Sequence, residues 1–484
     1  MLCGIPAFPA SAFAPILVGC MASATLSQPA SASPTRTEFR ALVALAVPLA
    51  GANLIQMMVY AVDVIFVARL GPENLAASSL SVSLFGLLMW SMTGLVGAAA
   101  PLIAAELGRR RHAVREVRRT MRMGLWLAVF AGLGVMAICA FGERLMLLTG
   151  QQPRVSALAG GFLWILMWAA IPNIAAALLR VFVSALGRPG IATAITVLAL
   201  AVNTLGNYAF VFGHLGAPEL GLNGSAISSV ITTLAMLAAY VAVILTDRRF
   251  RRYHLFGRWW RSDWARFRDM LSIGLPITGT ILAEAGLFCG AAFLMGRIGE
   301  AELAGHTIAL QFAALAFQVP FGIAQAATIR VGFHYGAGDR AGIAQAGNAA
   351  IALGIGFMAL TGLTIWLFPR AILHLYVDPD AAVNAGLVGF ALQYLVVAAA
   401  FQLFDGAQAV AAGSLRGLQD TRVPMGIALF GYWLPGMGTA IVLGFYTPLK
   451  GLGIWIGLAV GLIVVASGLL WRWRARERLG LLPG

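Results

Sequence analysis

The sequence predicts an all-α polytopic membrane protein with twelve transmembrane helices in two six-helix lobes related by a pseudo-twofold repeat. Three observations predict it. The 484 residues are 60% hydrophobic and 11% charged, whereas a soluble domain has about 45–50% apolar and about 25% charged residues. Twelve apolar stretches lie between charged segments, each long enough for a helix to cross about 30 Å of hydrocarbon. The second half repeats the first in gapless register at an offset of 228 residues. This composition excludes a soluble enzyme, a disordered chain and a nucleic-acid-binding domain. The net charge of +14 then marks the loops of a polytopic protein rather than a groove for nucleic acid.

Residues 1–37 are rich in Ala, Ser and Pro and carry no charge before Arg36. The apolar run 5–19 lacks the basic region that opens a signal peptide. A disordered leader is expected here, with Met21 an alternative start and residues 1–20 dispensable. The apolar stretches follow at 41–68, 75–105, 123–142, 155–179, 189–213, 220–246, 270–296, 303–329, 341–369, 381–413, 423–447 and 451–471. Lipid offers no partner to backbone amides, so each stretch is read as a helix. Pro48, Pro172, Pro276 and Pro435 fall inside stretches and mark candidate kinks. Between the sixth and seventh stretches, DRRFRRYHLFGRWWRSDWARFR (247–268) forms the seam of the chain. It reads as a basic, aromatic connector rather than a lipid-binding amphipathic helix. The expected organisation is a leader 1–37, an N-lobe 38–246, the linker 247–268, a C-lobe 269–471 and a tail 472–484. Cys3, Cys20, Cys139 and Cys289 have no clustered spacing, so neither a zinc site nor a disulfide framework is suggested.

Orientation comes from the arginines. With both termini inside, the inner segments hold 27 of the 33 basic residues, among them GRRRHAVREVRRTMR (108–122), the linker, Arg180, Arg330, Arg416 and the tail WRWRARER (471–478). That bias places both termini in the cytoplasm, with membrane lipids around the helices. No arginine is expected inside a span.

The repeat carries functional information. At an offset of 228, Pro48 meets Pro276, Arg69 meets Arg297, Gly94 meets Gly322 and Gly108 meets Gly336, and VARLGPENLAA (67–77) faces MGRIGEAELAG (295–305). Six helices per copy make both copies enter the membrane in the same direction, so the lobes flank a cleft about an axis along the membrane normal. Alternating-access carriers use that architecture. No P-loop is present, so direct ATP drive is not expected.

Ionisable groups in hydrocarbon are costly and usually functional. Three lie within the stretches: Asp63 in the first, Glu284 in the seventh and Asp405 in the tenth. Glu284 stands 14 residues from Met270 and 13 from Arg297, which at about 1.5 Å per residue is near mid-bilayer. A carboxylate there, without a cationic partner, awaits H⁺, Na⁺ or a cationic substrate. Asn203 and Asn207 are four residues apart and share one helix face. With Asp63 they suit either a hard cation or interhelical hydrogen bonding. Gln311, Gln318, Gln402 and Gln408 lie near the second-lobe carboxylates and read as packing residues.

These features together resemble the MATE family of multidrug and toxic-compound extrusion transporters, and within it the bacterial norfloxacin-extruding branch. The resemblance rests on VPLAGANLIQMMVYAVDVIFVARLGPENLAA (47–77), GLPITGTILAEAGLFCGAAFLMGRIG (274–299), IRVGFHYGAGD (329–339) and FDGAQAVAAGSLRGLQDTRVP (404–424), and covers about 38–472. It implies two V-shaped lobes exporting amphipathic, often cationic, organic compounds by antiport with Na⁺ or H⁺, without a resident cofactor, as a monomer. It also implies a second-lobe cation site at Glu284 and Asp405 and a first-lobe site at Asp63, Asn203 and Asn207. Two positions depart from the family pattern: Phe401 stands where members can carry a tyrosine, and Asn207 where some carry a carboxylate. A lipid-linked-oligosaccharide flippase of the same superfamily is the alternative; its pyrophosphate substrate would call for a cationic central cavity, whereas the charges within these spans are acidic. A membrane receptor or enzyme would want a clustered His, Ser or Cys constellation, and the six histidines are scattered.

Overall fold

The structure is a computed structural model that describes residues 34–110, 112–257, 260–374, 378, 381 and 385–483. Twelve helices long and apolar enough to cross a membrane lie among them. They are α1 Thr35–Ala68, α2 Pro72–Arg109, α3 Ala113–Ala140, α4 Pro153–Ala185, α5 Pro189–Phe212 and α6 Leu222–Thr246, then α7 Trp264–Ile298, α8 Glu300–Ala337, α9 Arg340–Leu367, α10 Gly386–Gly417, α11 Arg422–Phe445 and α12 Lys450–Arg474. Each predicted stretch falls on one of them. An even number of crossings leaves both ends of the bundle on one face, which also carries the arginine-rich segments and is called the basic face below.

The prolines act differently according to their surroundings. Pro48 and Pro276 stay inside continuous helices, whereas a 3₁₀ turn at Met167–Ala169 interrupts α4 just before Pro172. Pro435 sits in a π-helical segment, Tyr432–Met437, of α11, where the missing N–H of proline is absorbed by widening the turn.

Two apolar cores form. The first is built mainly from α1–α6 around Phe182, Leu178 and Met121, and recruits Ile277 and Ile323 from the second half. The second gathers Trp455, Tyr394, Phe401 and Leu462. The halves meet through glycines. A Cβ on Gly322 would strike Ala50 and one on Gly94 would strike Ile281, while Gly108 and Gly336 each lie against a carbonyl of the opposite half. These contacts occupy the half of the molecule nearest the basic face. An ion pair reinforces them there: Arg330 of α8 grips the Glu38 carboxylate of α1 bidentately, with its Nε 2.7 Å from Oε1.

Several expected boundaries move because counting apolar residues ends a helix at its first charge, whereas backbone hydrogen bonding carries it further. Arg180, Arg330 and Arg416, which composition assigns to loops, lie inside α4, α8 and α10. The expectation of arginine-free spans is therefore corrected. Of the leader 1–37, residues 1–33 lie outside the described residues, and so do Met21 and the region 1–20, while Pro34 already begins helical structure. The connector ends at Asp263, whose carboxylate caps α7 by accepting from Arg266 N at 3.3 Å. It is docked rather than free. Phe250, Tyr253 and Leu255 are buried, Phe182 meets the Tyr253 ring edge-on at 5.5 Å, and Arg118 Nε donates to the Tyr253 carbonyl at 2.7 Å. The tail likewise begins inside α12, where Arg472 Nε donates to Asp420 Oδ2 at 2.6 Å.

Candidate functional site

In the first lobe, α1, α5 and α6 bring four polar side chains together. Asn203 and Asn207 Nδ2 both donate to Asp63 Oδ1, at 2.9 and 2.7 Å. Ser229 Oγ, from α6, donates to Oδ2 at 3.2 Å. The one-turn spacing of the asparagines lets both reach the same oxygen. Their amides point N–H groups rather than oxygens at the carboxylate, and Asn207 Oδ1 is left buried without a partner. Ser229 is the member that sequence reasoning missed. It stands among Ser225, Ser228, Thr232 and Thr233 of α6, and nothing in the sequence singles it out from those hydroxyl neighbours.

In the second lobe, Gln408 Nε2 donates to Glu284 Oε1 at 3.0 Å and to Asp405 Oδ1 at 3.3 Å, bridging α7 and α10. Gln408, expected to serve packing, is thus the group that holds the two carboxylates together. Asp405 and Gln402 are buried, and neither amide atom of Gln402 has a partner. Tyr432, from the π-helical segment of α11, is fully buried with its hydroxyl unpartnered and lies within electrostatic reach of Glu284, Asp405 and Arg416. Phe401, by contrast, turns its ring to Trp455 at 5.4 Å. Tyr432 is the second missed member, hidden because it lies outside any motif and joins the site only through tertiary packing. Among the described residues Asp63, Glu284 and Asp405 form no ion pair. Nor do three or more His, Cys, Asp or Glu side chains gather into a metal cluster.

A cavity of about 220 Å³ opens between the lobes. Tyr60, one turn from Asp63 on α1, lines it, as do Trp90, Phe321, Arg180 and Arg416, while none of the three carboxylates does. The expectation that the charges within the spans are acidic, set against the flippase alternative, is corrected here: the charged residues lining the cavity are arginines. Helix continuation through Arg180 and Arg416 is the reason.

Arg416 connects the two places. It faces the cavity and interacts electrostatically with Glu284. The arrangement therefore offers a carboxylate in each lobe, held by amide and hydroxyl donors, beside a cleft that both lobes line. A carboxylate whose hydrogen bonds come from neutral donors can exchange a proton or cation without breaking a direct ion pair.

Comparison with known proteins agrees with this architecture. Among solved structures, the chain is similar to the eukaryotic MATE transporter AtDTX14, with a TM-score of 0.81 at 20% identity over 92% of this chain and all of that one. It is also similar to an outward-facing multidrug resistance MATE family transporter, with a TM-score of 0.82 at 21% identity over 91% of this chain and 97% of that one. Among curated relatives, the probable multidrug resistance protein NorM of Mesorhizobium japonicum is 46% identical over 444 residues, 92% of this chain and 95% of the relative. The NorM protein of Brucella suis is 43% identical over 427 residues, 88% and 91% of the two chains. The MatE family profile matches twice, at residues 48–209 and 276–442, so each copy starts at a proline of the repeat, Pro48 or Pro276. With its duplicated six-helix halves matched copy by copy, the chain belongs to the MatE family.

Proposed function

We propose that this protein is a multidrug efflux transporter that exports amphipathic organic compounds in exchange for Na⁺ or H⁺. The observation that carries the reading is the pair of membrane-buried carboxylate sites, Asp63 with Asn203, Asn207 and Ser229, and Glu284 with Asp405 and Gln408. Each is held by neutral donors and lies beside a cleft between repeated lobes. The names of the relatives support drug export, and none of those names favours the flippase alternative.

In this reading the cleft opens alternately to the two sides. The closure near the basic face, made by glycine contacts and the Glu38–Arg330 pair, separates when the carboxylate sites change their load. An arriving ion neutralises Asp63 or the Glu284–Asp405 pair and relieves the cost of a charge in low dielectric. Its departure restores that cost and returns the transporter. The basic face is taken as cytoplasmic, in a bacterial inner membrane, with the connector and both termini inside. The working units are an N-lobe near 38–246 and a C-lobe near 269–471, acting as a monomer among lipids.

The deciding experiment is efflux of a fluorescent organic cation from proteoliposomes with the Na⁺ and H⁺ gradients imposed separately. Efflux driven by one gradient and collapsed by its ionophore supports the reading and names the ion. Efflux from the proteoliposomes no faster than leakage from protein-free vesicles under either gradient refutes it.

A further inference from the structure

A second opening, a groove of about 550 Å³, lies on the outside of the bundle, away from the central cleft. Its walls are α2 and α3 of the first half and α7 of the second. Its floor is their contact: Leu95 lines the groove, and a Cβ on Gly274 would strike the Leu95 carbonyl. Every lining residue is apolar or aromatic. Along α3 the groove runs from Leu127 to Ile138, which at about 1.5 Å per residue is about 16 Å. That is about the hydrocarbon depth of one leaflet. Gly134 keeps the channel open, since a Cβ there would meet nothing within 4 Å.

The end nearest the basic face is framed by rings. Trp264 meets Trp126 edge-on at 6.4 Å and Phe267 at 5.6 Å, and Phe267 meets Phe130 at 6.2 Å. Aromatic side chains of this kind sit at headgroup level. Arg122 stands one turn before Trp126, in electrostatic reach of Arg118, Arg119 and Arg261 as well as of the Asp263 carboxylate. The carboxylates of this corner are already engaged. Arg119 holds Asp263 at 2.5 Å and Glu116 at 2.9 Å, and Arg266 holds Glu116 at 2.7 Å. Arg122 is half-buried, makes no hydrogen bond or ion pair among the described residues, and has its Nε buried without a partner. Its two Nη groups carry four further N–H donors. A guanidinium crowded by like charges and left unpaired is costly unless an anion completes it.

We propose that this groove binds one anionic glycerophospholipid of the leaflet at the basic face, its phosphate on Arg122 with Arg261 beside it and one acyl chain laid between α3 and α7. A planar guanidinium fork matches two phosphate oxygens. Charge selects the headgroup: phosphatidylglycerol brings only its anion to the arginines, whereas phosphatidylcholine also brings an ammonium group among like charges. Because the walls come from both halves, the bound lipid bridges the seam between α3 and α7 at the corner where Asp263 caps α7. The site touches neither the central cavity nor the three carboxylates, so the inference stands apart from the efflux reading.

The test is native mass spectrometry of the purified full chain in detergent, titrated with phosphatidylglycerol and phosphatidylcholine of identical acyl chains. One phosphatidylglycerol is expected to bind at least about fivefold tighter than phosphatidylcholine, the effect of about one arginine at a membrane surface. Arg122→Gln should bring the two lipids to within about twofold of each other. Arg36→Gln, at an exposed arginine elsewhere near the basic face, should leave the preference intact. Gly134→Phe fills the channel without touching the charges and should weaken both lipids. It also covers the case in which Arg122→Gln fails to fold, which gel filtration reports. Glycerol 3-phosphate, a headgroup without chains, should not displace the bound lipid. Equal binding of the two lipids to the wild type, or an unchanged preference in Arg122→Gln, overturns the proposal. So does an equal loss in Arg36→Gln, which would mean a diffuse basic surface. Undiminished binding by Gly134→Phe, or displacement by glycerol 3-phosphate, overturns it as well, since the groove would then hold no chain.

Discussion

Gly108 and Gly336 are each other's counterparts across the interface between the halves: Gly108 lies against the Phe333 carbonyl and Gly336 against the Ala105 carbonyl. Both glycines and both carbonyls are 228 residues apart, so one repeat operation exchanges the two contacts. Gly94 against Thr278 and Gly322 against Ala50 form a second exchanged pair. The pseudo-twofold relation is therefore written into atomic contacts as well as helix order.

Gly108→Ala and Gly336→Ala put a methyl where a backbone oxygen already stands. Neither neighbour can rotate away, so each substitution should cost this interlobe contact about 1–3 kcal/mol. Spin labels at the exposed positions Arg40 and Ala337 should report longer and broader distances in either variant. An unchanged distance distribution would show that the contact does not hold the halves together.

Asp63→Asn preserves shape but removes the charge that three donors surround. Ion-driven efflux should fall at least about tenfold with yield and gel-filtration profile unchanged. Ser229→Ala, which removes one donor of three, should give a smaller loss, and the proteoliposome assay measures both.

Glu284→Gln and Asp405→Asn should each abolish ion-driven efflux at near-normal abundance. Gln408→Ala should weaken it by freeing the two carboxylates from their common donor. Full ion-coupled efflux by the Glu284→Gln, Asp405→Asn double variant, with Asp63→Asn inactive, would move the coupling site wholly to Asp63, Asn203 and Asn207.

The connector should release at acid pH. Asp263, whose carboxyl is held below its usual value by the Arg119 guanidinium, has a depressed folded-state pKa. Its contribution is complete above the unfolded value of about 3.9 and is lost as pH falls through the folded value. Hydrogen exchange across residues 247–257 should rise below about pH 4. Asp263→Asn should show the raised exchange already at neutral pH and lose that pH dependence.

Arg251 is exposed on the connector while Leu255 beside it is buried, so position 251 is the one to label. In a Cys-free background, Arg251→Cys should resist an impermeant maleimide applied to intact cells and react after permeabilisation. Labelling from outside would invert the orientation.

How much of the site could be read from sequence followed from the range of each interaction. Asn203 and Asn207 could be grouped because one helical turn joins them, and Glu284 could be placed in depth because helix rise is fixed. That Gln408 bridges two carboxylates was not legible, since a glutamine beside Asp405 looks the same whether it packs or donates. Tyr432 was invisible for another reason: the carboxylates within its electrostatic reach lie on α7 and α10, and only the widened turn at Pro435 accompanies its approach.

The sequence by itself determined the number of helices, their approximate limits and their duplication. Transfer into hydrocarbon and backbone satisfaction are paid residue by residue along a local segment, and a gapless repeat needs no structure to be seen. Tertiary structure alone decided which polar groups share a site and which arginines enter the cleft. Ser229 reaches Asp63 across 166 positions of chain, and Arg416, unlike Arg330 and Arg472, has no carboxylate within ion-pair distance among the described residues. Such contacts depend on how helices rotate and pack against one another, and that rotation is fixed by the glycines and side chains of the opposite half rather than by the residues that form the site.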